Sequence, residues 1–428
     1  MNVADSELVE SILINEGYEK SDTVDSADAI FVNTCAIREQ AEEKVHSQLG
    51  RYNLIKKNKP ETLIGVLGCM AQNLKNDLLE NKPYIDIVLG PDSYRELPSI
   101  LKKRSQISDS IIDTKLSRYE VYQDLFPQRK GGVNAWVSIM RGCDKFCTFC
   151  IVPFTRGRER SRNLESILEE ANDAVNLGYS EITLLGQNVN SYNYQNLKFH
   201  NLLEEVSKIK NLKRIRYTSP HPKDITEDLL LVMSKHANIC NYIHLPLQAG
   251  SNRILKRMNR TYTREHFISI VEMIRDILPE VGISTDIIVG FPGETNADFQ
   301  ETISLMDEVK FDSAFNFKYS SRPGTKASEY SDKINDQEKK DRLDKIIKLQ
   351  KEHTLERNKS LIGSVEEVLV EKESKFSVNH WAGRTDSNKW VIFDKKNTSI
   401  NKIVPVKIKE AKGITLHGEL FNEMEIAL

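Results

Sequence analysis

Six cysteines in 428 residues are too few for a secreted scaffold held by disulfides, which leaves metal binding, catalysis or plain burial for each of them. No uninterrupted apolar run approaches the roughly 20 residues that cross a bilayer, and the opening MNVADSELVE is acidic and lacks a signal-peptide core. A cytoplasmic protein with no membrane partner is the expectation. An excess of one charge is also missing. With a formal net charge of −2, a polyanionic partner must be met by local basic patches. What is present is the make-up of a globular protein, 39% apolar and 29% charged, in a chain longer than one core usually serves. Two or three domains are expected.

Three textures follow one another along the chain. Buried-strand runs at 29–34, 63–68 and 84–89, separated by helix-like stretches such as 39–54, predict an open α/β domain over 1–125. From 130 to 360 the alternation restarts, with strands near 136–140, 181–185, 214–218, 242–245, 283–289 and 313–319 and helices such as 164–177 and 297–308 between them. Six β/α units predict a partial (β/α)6 barrel, whose functional groups gather at the carboxyl ends of the strands. Its last stretch, 330–360, reads as a charged connecting helix with Leu343, Ile346, Ile347 and Leu355 on one packed face. Residues 362–428 turn to short β-type runs punctuated by glycine, the pattern of a small β-barrel. With ten basic and ten acidic residues from 364 onward it is no basic tail, so any RNA-binding role rests on one face.

The cysteines are unevenly placed. Cys143, Cys147 and Cys150 put three soft thiolates within eight residues just after a strand. This suits an iron–sulfur cluster with one open iron more than tetrahedral zinc, although a zinc knuckle with a remote fourth ligand remains open from spacing alone. Cys35 and Cys69 each follow a strand, at the edge where α/β sheets place ligands, and an ordinary buried thiol is the plainer reading of either. Cys240 has no motif context and is assigned to the core. Two cationic runs, Arg156, Arg158, Arg160 and Arg162, then Arg253, Lys256, Arg257, Arg260 and Arg264, are candidates for anion or RNA contact or simply solvated faces.

RGCDKFCTFC resembles the signature of the radical S-adenosylmethionine (SAM) superfamily. With NTCAIRE, GCMAQ, VPFTRGRERSR, LLGQNVNSY, SPHP, HLPLQAGSNRILKRMNRTYT and DIIVGFPGET, essentially the whole chain resembles the methylthiotransferases, in their MiaB-type branch. The last 60-odd residues are similar to the TRAM domain, an RNA-binding module. The resemblance implies two 4Fe-4S clusters and SAM. A radical SAM cluster would sit on Cys143, Cys147 and Cys150, and an auxiliary cluster on Cys35, Cys69 and a third cysteine. The chain opens at MNVADSE, similar to the tail of the family's GCQMN-like motif, so the third cysteine and the first strand are missing from it: either they lie upstream, the favoured expectation, or the auxiliary cluster is incomplete.

The implied reaction adds a methylthio group to carbon 2 of N6-dimethylallyladenosine at position 37, in the anticodon stem-loop of tRNA. One SAM is the methyl donor and another the radical source. An electron donor of flavodoxin or ferredoxin type and a monomeric enzyme are implied as well. Phe149 matches the position that packs near the adenine of SAM. Gly186, Gln187 and Asn188, then Ser219, His221, Gln248 and Asp286, are carried over as groups facing SAM, with the Gly290–Glu294 turn allowing backbone approach to the adenine. No catalytic acid or base is assigned. Two other readings are a cluster-bearing RNA-binding relative without sulfur transfer, and a relative acting on threonylcarbamoyladenosine or on a ribosomal aspartate. VPFTRGRERSR and GQNVNSY argue against the last pair.

Overall fold

The computed structural model describes residues 1–34, 39–104, 106, 109–375, 377–396 and 398–421, with the backbone alone for 39–42. The first unit is a parallel sheet in the order β1 (Ala29–Thr34), β2 (Leu63–Gly68), β3 (Ile87–Leu89), β4 (Ile111–Asp113). Period-two alternation gives the sheet two apolar faces. Leu67, Ile87 and Leu89 pack on Leu8, Val9 and Ile12 of α1 (Asn2–Asn15) and on Leu97, Ile100 and Leu101 of α5 (Leu97–Arg104). Val32, Ile64, Val66 and Val88 face Val45 and Leu49 of α2 (Glu39–Asn58) and Met70 and Ala71 of α3 (Cys69–Leu74). A short α4 (Asn76–Asn81) completes the connection. The helix α1 and the strand β4 carry weak sequence signals. Both are fixed by packing on the sheet.

The middle unit has six parallel strands in chain order: β5 (Asn134–Ser138), β8 (Glu181–Leu185), β11 (Arg214–Tyr217), β12 (Tyr242–His244), β13 (Gly282–Val289) and β14 (Ser313–Lys318). A parallel bridge from Ile215 to Ile239 joins the two halves. After β5, a two-residue pair of β6 (Met140–Arg141) and β7 (Arg160–Ser161) closes an excursion that contains α6 (Val152–Arg156). The packing helices are α7 (Leu164–Asn176), α8 (Phe199–Ser207, after the hairpin β9 Asn193–Tyr194 and β10 Leu197–Lys198), α9 (Glu227–Lys235), α10 (Asn252–Arg257), α11 (Arg264–Ile277) and α12 (Asn296–Val309). One continuous core runs through this unit, from Val137 and Ile182 to Ile287 and Ile346.

On the connecting helix α13 (Asp336–Lys359), Leu343 and Ile346 pack on the core as expected, but most of the buried face is polar. Ile346 is buried, but its neighbours on that face are Arg342, Gln350, His353, Thr354 and Asn358, while Ile347 and Leu355 are only half-buried. Part of this polar face is satisfied across the packing, Gln350 donating to the Phe311 carbonyl at 2.8 Å and Thr354 to that of Asp312 at 2.9 Å. The chain ends in a closed barrel of β15 (Val365–Ser374), β16 (Ser377–Thr385), β17 (Trp390–Asp394), β19 (Thr415–Leu420) and β18 (Ile403–Lys412), filled by Val368, Val370, Val391, Phe393, Val406, Ile408 and Leu416. Closure leaves no open strand edge.

This barrel docks on the amino-terminal edge of the middle sheet through buried ions. Arg216 and Arg384 both reach Glu181, at 2.8 and 2.9 Å, and Arg216 also donates to the carbonyls of Thr385 and Asp386. Lys389 pairs with Asp312 at 2.6 Å. Burial opposes ionisation of Glu181, yet the flanking arginines outweigh it and hold its carboxyl below the usual range. No helix of the described residues is long and apolar enough to cross a membrane.

Candidate active site

The excursion between β6 and β7 starts at Gly142, whose φ of +81° only glycine adopts freely and where a Cβ would lie 2.0 Å from the Arg158 carbonyl oxygen. Its backbone is held from several sides. Cys143 N donates to the Gly157 carbonyl, Thr148 N to that of Met258, and Ala327 N to that of Thr148. Asn259 caps the Phe146 carbonyl at 2.9 Å. Cys143, Cys147 and Cys150 are thus free, half-buried thiols on one fixed loop. A cavity of about 350 Å³ opens beside Cys147 and Cys150, walled by Phe146, Phe154, Lys256, Arg257, Lys326 and Tyr330. The chain distance of Lys326 and Tyr330 from the motif hides them in the sequence.

Burial pushes the Cys143 thiol up to about 11 and that of Cys150 to about 12, so metal binding there releases protons. Arg260 points a guanidinium N–H at Cys147 Sγ, 3.5 Å away. Among the described residues no three His, Cys, Asp or Glu side chains close on a single ion. Three soft donors without a fourth fit a polynuclear iron–sulfur cluster, in which each thiolate takes a different iron, better than one zinc.

The carboxyl edge of the sheet brings the other polar candidates to the same end. Gln187 Oε1 accepts from Gly142 N at 2.6 Å, tying the turn after β8 to the cysteine loop. Asn188 Nδ2 donates to Asp224, which also pairs with Lys145 of the loop at 2.6 Å. Ser219 and Gln248 have φ of +59° and +72°. For residues other than glycine this costs on the order of 1 kcal/mol and is common where a ligand is to be met. Gln248 N donates to the Asp286 carbonyl at 2.8 Å, while the Asp286 carboxylate stands 3.3 Å from His244. His221 is buried. Desolvation, with the cations Arg260, Lys145 and Lys223 nearby, drives it down to about 2, so it is a neutral ring whose Nδ1 accepts from Lys223 N. Phe149 turns inward and meets Phe291 edge to face at 6.5 Å. Neither Phe149, Gly186, Gln187, Ser219, Gln248 nor Asp286 lines the cavity beside Cys147 and Cys150.

Several expectations need correction. The Gly290–Glu294 turn does not present an open cradle. A Cβ on Gly290 would meet Lys339 Cγ at 2.3 Å, and one on Gly293 would meet Asp332 Oδ2 at 2.4 Å. Glu294 closes the turn from inside, accepting from Gly290 N and Arg342, each at 2.6 Å. The arginine run after the cysteines is no basic surface either. Arg160 pairs with Asp92 and Arg162 with Glu170, both buried, leaving only Arg158 exposed, where it pairs with Asp144. In the second run Arg253, Arg257 and Arg264 pair with Asp298, Asp332 and Glu308, and Arg260 turns in to Cys147. Of those five, the Lys256 side chain alone has no ion-pair or hydrogen-bond partner among the described residues, and it walls the cavity.

Cys69 opens α3 at the carboxyl end of β2 and packs against Ile151, next to Cys150. Arg156 Nε donates to its sulfur at 3.2 Å. The amino-terminal unit therefore sets a cysteine directly behind the loop that carries Cys143, Cys147 and Cys150. Cys35 lies outside the described residues, and Cys240 is buried in the core. Two charged residues of this junction, Asp5 in MNVADSE and Arg141 in RGCDKFCTFC, carry no local sign of their pairing. Burial opposes ionisation of Asp5, but Arg156 and Arg141 prevail and hold its carboxyl below the usual range.

Residues 137–306 match the radical SAM superfamily, 1–90 the uncharacterized protein family UPF0004, and 359–421 the TRAM domain. The chain is similar to three proteins named tRNA-2-methylthio-N(6)-dimethylallyladenosine synthase. That of Parabacteroides distasonis is 48% identical, over 99% of this chain and 94% of the relative. That of Phocaeicola vulgatus is 48% identical, over 98% and 93%. That of Christiangramia forsetii is 46% identical, over 98% and 91%. Among solved structures, the radical SAM methyltransferase TsrM of Kitasatospora setae superposes with a TM-score of 0.59 over 77% of this chain and 72% of that one, at 14% identity, a likeness of fold alone.

Proposed function

Because the chain belongs to the tRNA-2-methylthio-N(6)-dimethylallyladenosine synthase family of radical SAM enzymes, we propose that its cysteine loop and the Cys69 site behind it act together to methylthiolate carbon 2 of N6-dimethylallyladenosine 37 in tRNA. The observation that carries this reading is the contact of Arg156 with Cys69, which sets the two cysteine sites back to back.

Cys143, Cys147 and Cys150 would hold a 4Fe-4S cluster, and Cys69 with Cys35 would contribute ligands to a second one. When bound, the first cluster supplies an electron to cleave SAM and the second carries the sulfur. The chain's own groups do the positioning. Gln187 and Asn259 fix the loop's backbone by the bonds described above. Gly186, Ser219, Gln248 and Asp286 offer polar groups at the sheet edge for the ribose and amino-acid ends of SAM, while Phe149 stiffens the wall behind them. Lys256 and Lys326, at the mouth of the cavity, carry charge suited to tRNA phosphates. The three sequence textures are assigned as domains 1–125, 130–360 and 362–428, the last a TRAM-type RNA-binding barrel. A monomeric cytoplasmic enzyme served by a flavodoxin-like or ferredoxin-like donor completes the reading.

The test is mass spectrometry of tRNA nucleosides from cells with and without this gene. Loss of 2-methylthio-N6-dimethylallyladenosine with accumulation of the unthiolated nucleoside is expected. Its persistence overturns the substrate assignment.

A further inference from the structure

The buried charges around the cysteine loop share one carboxylate. Asp5, on α1 and only 1% exposed, accepts from Arg141 Nη2 on Oδ1 at 2.7 Å and from Arg156 Nη2 on Oδ2 at 2.5 Å. Arg141 ends the strand just before Cys143, and Arg156 ends the helix just after Cys150. A single side chain of the amino-terminal unit thus holds both ends of the loop. Arg156 also reaches Cys69 Sγ, while its Nη1 is buried with no hydrogen-bond partner among the described residues. Two guanidinium groups against one carboxylate leave a net positive charge in a place where unpaired charge is costly, and one of the two, Arg156, faces the Cys69 sulfur. A tie between domains needs one ion pair. This arrangement also sets where a sulfur-bearing site stands relative to the loop.

We propose that Asp5 is a positioning residue for the reaction, fixing the cysteine loop in register with Cys69 through Arg141 and Arg156. The inference rests on the proposed role of Cys69. Sulfur held at one site must meet a carbon activated at the other, and such constellations tolerate errors of only about 0.5 Å.

The test compares wild-type, Asp5→Asn and Arg156→Lys holoenzymes of matched iron content. Backbone hydrogen exchange over 142–156 is expected to quicken in Asp5→Asn by on the order of tenfold, with α7 and α12 unchanged. In both variants, 5′-deoxyadenosine formed per methylthiolated nucleoside is expected to rise several-fold. Arg156→Lys keeps the charge but lacks the fork that spans Asp5 and Cys69, so it carries the test if Asp5→Asn does not fold. An unchanged ratio, with or without a fall in melting temperature, makes Asp5 a plain tie and overturns the proposal. A wild-type enzyme that forms no methylthiolated nucleoside contradicts the proposed function instead, and unchanged exchange over 142–156 in Asp5→Asn overturns the clasp by itself.

Discussion

The two ends of the central sheet use the same residue types to opposite effect. At the amino-terminal edge, Glu181, Arg216 and Arg384 form a buried set whose charged groups face one another, and the terminal barrel is locked on by it. At the carboxyl-terminal edge, Ser219 and Gln248 are held in left-handed conformations, Asn188 Oδ1 is buried without a partner among the described residues, and a cavity lies beside two free thiols. A fold can place arginine and carboxylate to satisfy each other, which gives a joint, or leave groups unsatisfied, which gives a site. The contrast predicts that substitutions at one end cost stability and at the other cost chemistry.

The largest effect is expected at the thiols. Cys147→Ser should abolish methylthiolation and remove one cluster's worth of iron, read by iron assay and visible absorbance, while the thermal transition of the terminal barrel stays in place. At the opposite edge, Glu181→Gln leaves Arg216 without its buried carboxylate and Arg384 with Glu371 alone. Breaking such a buried set costs about 3–5 kcal/mol. Urea unfolding should show that loss, with product formed per folded enzyme near the wild-type level at low temperature. If Glu181→Gln instead lowers turnover without lowering stability, the division of labour between the two ends fails.

His221 offers a smaller effect with a definite sign. Its folded value is depressed to about 2, against 6.5 when free, so above pH 6.5 it is neutral in both states and contributes no pH dependence. Below pH 6.5 the unfolded chain takes up a proton that the folded chain refuses, and stability falls by roughly 1.4 kcal/mol per pH unit, or about 2 kcal/mol between pH 7 and pH 5. His221→Asn should flatten that slope, measured as the difference between wild-type and variant denaturation curves at the two pH values.

Which features could be read ahead of the structure follows from the range of the interactions behind them. The strand Glu181–Leu185 and the Cys143, Cys147, Cys150 loop announce themselves because a few neighbouring residues carry the whole signal. The polar packed face of α13 does not, since Arg342 and Gln350 are buried only by virtue of Glu294 and the Phe311 carbonyl, some 40 to 50 residues away. The Gly290–Glu294 turn misleads for the same reason, its glycines making room for Lys339 and Asp332. Asp5 is the extreme case, an acidic residue on a helix without a clear apolar stripe, whose partners lie more than 130 positions on.

The run from Arg156 to Arg162 gives the finest test of the same contrast, because adjacent positions of one type differ only in what they meet. Arg162 is buried against Glu170 at 2.5 Å and against Ser166, whereas the Arg158 side chain is 71% exposed and pairs with an Asp144 that is itself partly exposed. Water screens the second pair and the first has no such competitor. Arg158→Gln should therefore change unfolding free energy by about 0–1 kcal/mol. Arg162→Gln removes one of the two buried arginines paired with Glu170, leaving Arg129 alone, and empties the bonds to the Ser138 and Ser166 carbonyls, so it should cost several times more. Equal costs in matched urea titrations would show that partner burial does not separate the four arginines, and with it the rule drawn from the two ends of the sheet.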